Sequence, residues 1–407
     1  MNKESVIPSI FYHCYRNVSQ QCGRWVSKIS ITLFVLCLLP TLLWAQSGTY
    51  FPPSGEWERR SPEAMGMDSA AVAAAVELAL ANTVVEPNDV SLFIESAFGR
   101  EPHFSILGPV KERIAGSGVV IKDGYIVAEW GDVEREDMTF SVAKSYLSTV
   151  VGVAVDDGLI RDVHDRVSDY FPHESFSKAH NAPITWAHFL HQTSDWSGTL
   201  WGKPDWADRP ADYDPAVAIN REMHEPGTFY KYNDTRVNML AFSMLNVWRR
   251  PLDEVLNEHI MAPIGASDEW QWHGYENSWV EIDGKRMQSP SGGAHWGGGF
   301  FISTLDHARM GYLFLHNGNW DDEQLISEQW IAAARTPSPI NPRYGFLWWL
   351  NTNQEAVPAA PASAFYATGA GGNYIWIDQE NDLLIVLRWI PRLAPVISAF
   401  TEAVESR

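Results

Sequence analysis

The sequence predicts a mixed α/β (α+β) domain: an antiparallel sheet flanked by helices, with a mostly helical lobe inserted. Three observations predict it. β-rich runs lie towards both ends of the chain, at 117–130 and 344–390. The stretch between them is rich in Pro, Trp, Asp and His, with helical patterns separated by irregular segments. At its head stands SVAKSYLSTVVGVAV, Ser141–Val155, apolar on every side after its first turn, as a buried helix is. Strands from both ends then complete one sheet around the inserted material.

Each element has its own signal. Asp68–Asn82 is Ala-rich and predicts a surface helix packed on the sheet. In Ser117–Trp130, two β-rich runs flank Asp123-Gly124, a pair suited to a tight hairpin turn. Within the lobe, helices are expected at Pro183–Gln192, Asp234–Trp248 and Leu252–Met261. Strands resume at Tyr344–Leu350, Gly372–Ile377 and Leu383–Ile390, and Pro395–Ser406 predicts a closing helix with proline in its first turn. The sheet subdomain is thus expected at about 48–140 plus 291–407, and the helical lobe at about 141–290.

The first 47 residues read differently. Lys3, Arg16, Arg24 and Lys28 precede an apolar run of 17 residues, Ile29–Ala45, and small residues follow at Ala45 and Ser47. That order predicts a signal peptide, or a signal anchor if it stays uncleaved. Pro40 and the run's length make it marginal as a span. Leu36 stands before Cys37 where a lipoprotein signal needs a small residue. Cys14, Cys22 and Cys37 all lie in this leader, so the mature chain has no disulfide, cysteine nucleophile or thiolate metal site. A secreted or periplasmic protein is expected, at the membrane only if the leader is retained.

Composition narrows the function. Of 407 residues, 45% are hydrophobic and 20% charged, enough for a sizeable core without disulfides or a structural metal. A net charge of −20 argues against nucleic acid or an anionic membrane surface as partner of the folded part. Nineteen Trp residues serve core packing and also make aromatic-lined clefts.

Ser141-Val-Ala-Lys144 is a Ser-x-x-Lys motif. On a helix these two residues share a face, about 4.5 Å apart along the axis, so the amine can reach the hydroxyl. The helix dipole favours a nucleophilic oxygen there, and burial lowers the lysine pKa from about 10.4 towards a usable base. A helix cap is the competing role for Ser141. Ser175-Phe-Ser-Lys178 has the same spacing but sits in a polar stretch and reads as surface. No Gly-x-Ser-x-Gly elbow occurs, which argues against an α/β-hydrolase with a Ser-His-Asp triad.

Downstream, Pro226-Gly-Thr-Phe-Tyr-Lys-Tyr232-Asn-Asp234 precedes a helix. With the Ser-x-x-Lys helix, this run resembles the serine β-lactamase and penicillin-binding-protein superfamily, especially its class C-like branch of esterases, D-amino-acid peptidases and nylon-oligomer hydrolases. Ile184–Ser194, Gly298-Gly-Phe-Phe-Ile-Ser-Thr304 with Asp306, Ala308 and Arg309, and Ala367-Thr-Gly-Ala370 resemble further segments of that branch. The resemblance covers about Glu56 to Val404 and implies a β-lactamase-like fold. It also implies Ser141 as nucleophile, Lys144 and Tyr232 as its proton acceptors, and the backbone N–H groups of Ser141 and Ala370 as the oxyanion hole. Thr368 and Gly369 would lie along the substrate, with Asp234 a further contact. Two departures stand out: Asp234 replaces the usual asparagine, and Ala367 replaces the usual basic residue. Both weaken recognition of a β-lactam amide and carboxylate.

The run Ser291–Gly299 is Gly-rich and lacks the context of a phosphate loop. Alone it reads as a flexible turn; by position in the family it brings His295 to the substrate and Trp296 to the pocket wall. His188 and His191 could suggest a metal pair, but no third ligand is evident. Trp186, Trp196, Trp201 and Trp206 are expected mostly to pack, with one or two shaping an apolar pocket. The reading is a hydrolase of a carboxylic ester or small amide through an acyl-serine, without cofactor or metal. Alternatives are β-lactamase or D,D-peptidase activity, or a binding protein that has lost turnover. Substrate identity and oligomeric state are not encoded legibly.

Overall fold

The computed structural model describes residues 49–85, 88–113 and 115–405. The leader expected at 1–47 lies outside the described residues. The strands that position the site are β1 (Ser117–Lys122), β2 (Tyr125–Trp130), β3 (Asp137–Met138), β4 (Gln271–Ile282), β5 (Lys285–Pro290), β6 (Gly299–Ile302), β7 (Trp349–Leu350), β8 (Phe365–Gly369), β9 (Asn373–Asp378) and β10 (Leu383–Arg388). The helices are α1 (Ser69–Ala81), α2 (Val90–Phe98), α3 (Ala143–Asp156), α4 (Trp186–Leu190), α5 (Asp234–Trp248), α6 (Thr304–Leu315) and α7 (Leu393–Glu402).

The main sheet runs β7-β8-β9-β10-β1-β2, antiparallel throughout. β1 and β2 are joined at Asp123-Gly124, both with positive φ (50° and 88°), the backbone a two-residue hairpin requires. Alternation divides the side chains between two cores. Val119, Ile121, Leu384 and Val386 face the core that includes α3, α5 and α6. Val120, Ile385 and Leu387 face the core shared with α1 and α7. Both faces are therefore covered, each large buried side chain contributing about 1.5–3 kcal/mol. Gly311 lets α6 lie close: a Cβ there would come 2.6 Å from Leu384 Cδ1 and 2.7 Å from Ile375 Cγ2.

A second antiparallel sheet, β3-β6-β4-β5, overturns part of the expected lobe. Residues 271–290 form a long hairpin where helical and irregular structure was expected. Its turn, Asp283-Gly284, has φ of 54° and 73°. Pairing of Gln271–His273 with β6, which comes from the sheet part of the chain, fixes β4 as a strand.

Boundaries moved elsewhere. α5 matches its expected span. α4 is shorter, because Thr185 caps it by accepting from the His188 amide. The run Tyr344–Leu350 supplies strand only at its end, since Leu347 has φ 59° and its N–H goes to the Leu190 carbonyl. The closing helix starts two residues earlier than expected and ends at Glu402. Among the described residues, no helix is long and apolar enough to cross a membrane.

Candidate active site

β3 leads through Thr139 into a single 3-10 turn, Phe140–Val142, and then into α3. Residues Ala143 to Ala154 of α3 are all buried. Thr139 Oγ1 is 2.8 Å from His307 Nε2, and Tyr146 OH is 2.8 Å from His307 Nδ1, so α6 anchors the turn from below. Phe140 has φ 51°, a costly conformation for a bulky residue, and the half-buried Ser141 follows it. Strand β8 runs alongside. A Cβ on Gly369 would lie 2.0 Å from the Thr139 carbonyl oxygen and 3.2 Å from the Ser141 nitrogen. Pairing with β7 stops at Tyr366, so Thr368 and Gly369 form a sheet edge beside the turn, and Ala370 opens the turn beyond.

The Lys144 amine donates to Ser141 Oγ at 2.9 Å and to Asp234 Oδ1 at 2.8 Å. Asp234 is the first residue of α5, which Asn233 caps. Tyr232 precedes that cap, and its ring centroid is 4.7 Å from the Lys144 amine. The tyrosine ring packs edge-on against Tyr344 and tilted against Trp349, with centroids 6.2 and 5.9 Å away. Two helix starts thus converge, one bringing Ser141 and Lys144, the other Tyr232 and Asp234.

Electrostatics bind the group together. Burial lowers the Lys144 pKa; the Asp234 carboxylate opposes this and Arg209 reinforces it. Burial raises the Tyr232 phenol, as does Asp234, while Arg209 and a hydrogen bond with Ser141 pull it down. For Asp234, burial alone would favour the neutral acid, but Lys144, Arg209 and His295 together hold the carboxyl well below the usual range. The uncharged lysine expected from burial alone is therefore contested by a buried counter-ion.

The remaining candidates divide. Asp234 is fully buried and is committed to Lys144 and Arg209 rather than facing the cleft. His295 and Trp296 are also buried: His295 Nε2 is 2.6 Å from Glu101 Oε2, and the Trp296 ring lies 5.0 Å from the Lys203 amine. The chain bends inward at this Gly-rich run because Gly293 passes against the Lys144–Asp234 pair, where a Cβ would come 2.2 Å from the amine. His188 Nδ1 accepts from the Thr185 amide and serves the helix cap. His191 is half-buried against Phe346, and this partial burial lowers its pKa to about 4. Ser175 belongs to a short 3-10 turn and Lys178 is exposed, as the surface reading expects. Trp186 and Trp196 are core, while Trp201 and Trp206 are half-buried.

Three charged neighbours carried no sequence signal. Asp208 accepts from the Asp234 amide and pairs with the Arg209 guanidinium. Arg209 Nη1 lies 3.3 Å from Asp234 Oδ1, and its N–H donates to Glu101 at 3.2 Å. Glu101, Asp208 and His295 could offer a metal three ligand atoms within 4.8 Å of one another. Asp208 is already engaged by Arg209 and the Asp234 amide, and His295 Nε2 by Glu101, so these residues form a hydrogen-bonded charge network. A separate cavity of about 800 Å³, lined by Tyr50, Trp57, Asp306 and Arg309 among others, includes none of Ser141, Lys144 and Tyr232.

The fold has counterparts among solved structures. A proposed beta-lactamase from Bacteroides dorei superposes with a TM-score of 0.54 at 15% identity, covering 70% of this chain and 93% of that one. EstCE1, a hydrolase with promiscuous acyltransferase activity, gives 0.54 at 14% identity, covering 83% and 99%. The chain belongs to the Beta-lactamase family, whose pattern it matches over residues 119–388. That family is one of hydrolases. A proposed D-alanyl-D-alanine carboxypeptidase from Escherichia coli O157:H7 is 23% identical over 197 residues, 40% of this chain. The match spans 45% of that relative, so less than half of its length.

Proposed function

We propose that this chain is an exported serine hydrolase that cleaves a carboxylic ester or a small amide. The observation that carries the reading is the 2.9 Å contact between the Lys144 amine and the half-buried Ser141 hydroxyl, with Tyr232 beside both. Ser141 Oγ attacks the carbonyl carbon, its proton passing to the Tyr232–Lys144 pair. The C–O or C–N bond to the leaving group breaks, and that group takes the proton. Water, giving its proton to the same pair, then attacks the acyl-serine; the acid departs and Ser141 regains a proton. Because the two groups are coupled, the proton belongs to the pair rather than to either member. The backbone N–H groups of Ser141 and Ala370 are suited to receive the oxyanion, a role worth roughly 3–4 kcal/mol per donor.

The charge balance supports an ester or uncharged amide over a carboxylate-bearing β-lactam or D,D-peptide. Ala367 brings no cation, and the two that flank the Tyr232 ring, Lys144 and Arg209, are already matched by Asp234 and Asp208. Export rests on the leader at 1–47, and N-terminal sequencing of the exported protein tests it. The activity test is a panel of short-chain p-nitrophenyl esters, D-amino-acid amides, aminohexanoate oligomers and nitrocefin on wild type and Ser141→Ala. Turnover is expected to fall at least about 1,000-fold in the variant, and a fluorophosphonate is expected to label Ser141. Undiminished ester hydrolysis by Ser141→Ala refutes the assignment; a wild type that is neither labelled nor active on the panel points to the binding-protein alternative.

A further inference from the structure

We propose that Arg209 is a positioning residue for the Tyr232–Lys144 pair, setting over the tyrosine ring a positive charge that Ala367 does not supply from the sheet. The inference rests on the serine-hydrolase reading above and assigns a role to a residue in the irregular part of the lobe.

The backbone carries the first argument. Arg209 has φ 47°, a left-handed conformation that a long side chain adopts only when its surroundings hold it there. The holders are visible. Glu101, itself nearly fully buried, accepts from the Arg209 N–H. Asp208, fully buried, grips the guanidinium with one oxygen and accepts the Asp234 amide with the other. The dipeptide Asp208-Arg209 is thereby docked onto the first residue of α5.

The second argument is where the guanidinium ends. Its carbon is 5.1 Å from the centroid of Tyr232 and 5.6 Å from that of Phe98. With the Lys144 amine 4.7 Å from the same Tyr232 centroid, two cations flank one phenol. The Arg209 side chain is 30% exposed, while Asp208 and Asp234 are 0% exposed. Its carboxylate partners lie in the interior, and the guanidinium bridges them while resting on the Tyr232 ring.

The sign of the effect does not depend on which residue is the base. A nearby cation disfavours the protonated lysine and favours the phenolate, so Arg209 makes the pair release a proton more readily in either case. The charged and titratable groups around the pair are Asp208 and Arg209 from the loop, Asp234 from α5, Glu101 and His295 behind them, and Tyr230 and Tyr344 beside the ring. Asp234 and Asp208 act against Arg209, so its removal leaves their influence unopposed.

The experiment is kcat/KM against pH for p-nitrophenyl acetate with wild type, Arg209→Gln and Arg209→Lys, alongside Ser141→Ala. In Arg209→Gln the acidic limb is expected to move up by about one pH unit or more, costing about tenfold on that limb and much less on the alkaline plateau. Arg209→Lys restores most of the shift by restoring the charge. If Arg209→Gln does not fold, Arg209→Met, which keeps the long stem without the charge, is expected to move the limb the same way. An unmoved limb, or a pH-independent loss that lysine does not rescue, overturns the role. Turnover surviving in Ser141→Ala overturns the hydrolase reading itself; an inactive Ser141→Ala with an unmoved limb in Arg209→Gln overturns only the role of Arg209.

Discussion

The Asp234 carboxylate lies 2.8 Å from the Lys144 amine, and the two side chains are 0% and 1% exposed. The lysine beside Ser141 is thus held by a buried counter-ion. Such a pair gains little net stability over apolar packing, but it fixes the charge and position of its members.

Replacing that counter-ion by the neutral amide is the direct test of its influence. Asp234 favours a protonated Lys144 and disfavours an ionised Tyr232. Asp234→Asn therefore lets the pair lose its proton more readily. The acidic limb of kcat/KM is expected to move to lower pH by about one unit or more, opposite to the effect of removing Arg209. A pH-rate profile of the variant on a p-nitrophenyl ester checks it; a limb moving to higher pH contradicts the assigned electrostatics.

Gly293 is expected to tolerate no side chain. A Cβ there would come 2.1 Å from Asp234 Oδ2 and 2.2 Å from the Lys144 amine. Gly293→Ala must push the pair apart or move the loop. A shift of about 1 Å at such a site costs on the order of 100-fold in turnover. Steady-state kinetics with a circular-dichroism check of folding measures this, and wild-type kcat in a folded variant would show that the loop yields freely.

Acid sensitivity follows from a second buried cluster. Burial by itself would raise the Asp195 pKa, yet Arg236, the His224 amide and Arg221 together hold it below its ordinary value. A carboxylate so lowered contributes stability that is complete above its unfolded pKa of about 3.9 and is lost as pH falls through the folded value. The wild-type Tm is expected to drop between about pH 5 and pH 2. Asp195→Asn should be less stable at neutral pH, with Arg236 left buried beside a neutral partner, and should show a flatter acid dependence. Calorimetry across that range decides it; parallel curves for the two proteins would rule the cluster out as a source of acid lability.

The hairpin at Asp123-Gly124, the buried helix after Ser141 and the whole of α5 were legible because each has a local cause: a turn pair, an all-apolar surface, a capped periodic run. The hairpin of β4 and β5 carried the same kind of signal in Asp283-Gly284, but the Pro- and Trp-rich surroundings masked it. Its strand identity is completed only by β6, which lies distant in sequence. In the site, the spacing of Ser141 and Lys144 and the run ending at Tyr232 could be read directly. Asp208, Arg209 and Glu101 could not, since they meet only through tertiary folding of loops that have no period and no motif. The same reason explains His295 and Trp296: a glycine-rich run says that the chain turns, not whether its side chains point to solvent or to the interior.

The frame and the roof of this site are made of different material. Ser141 and Lys144 stand at the head of one core helix, Asp234 at the head of another, and shifting either means repacking the interior. The chain that closes over them, 195–233, is mostly irregular and contributes Arg209 and Tyr232 from loops. A lineage can therefore rewrite what enters the cleft by exchanging loop residues while the apparatus beneath stays in register, so selectivity is free to drift faster than chemistry.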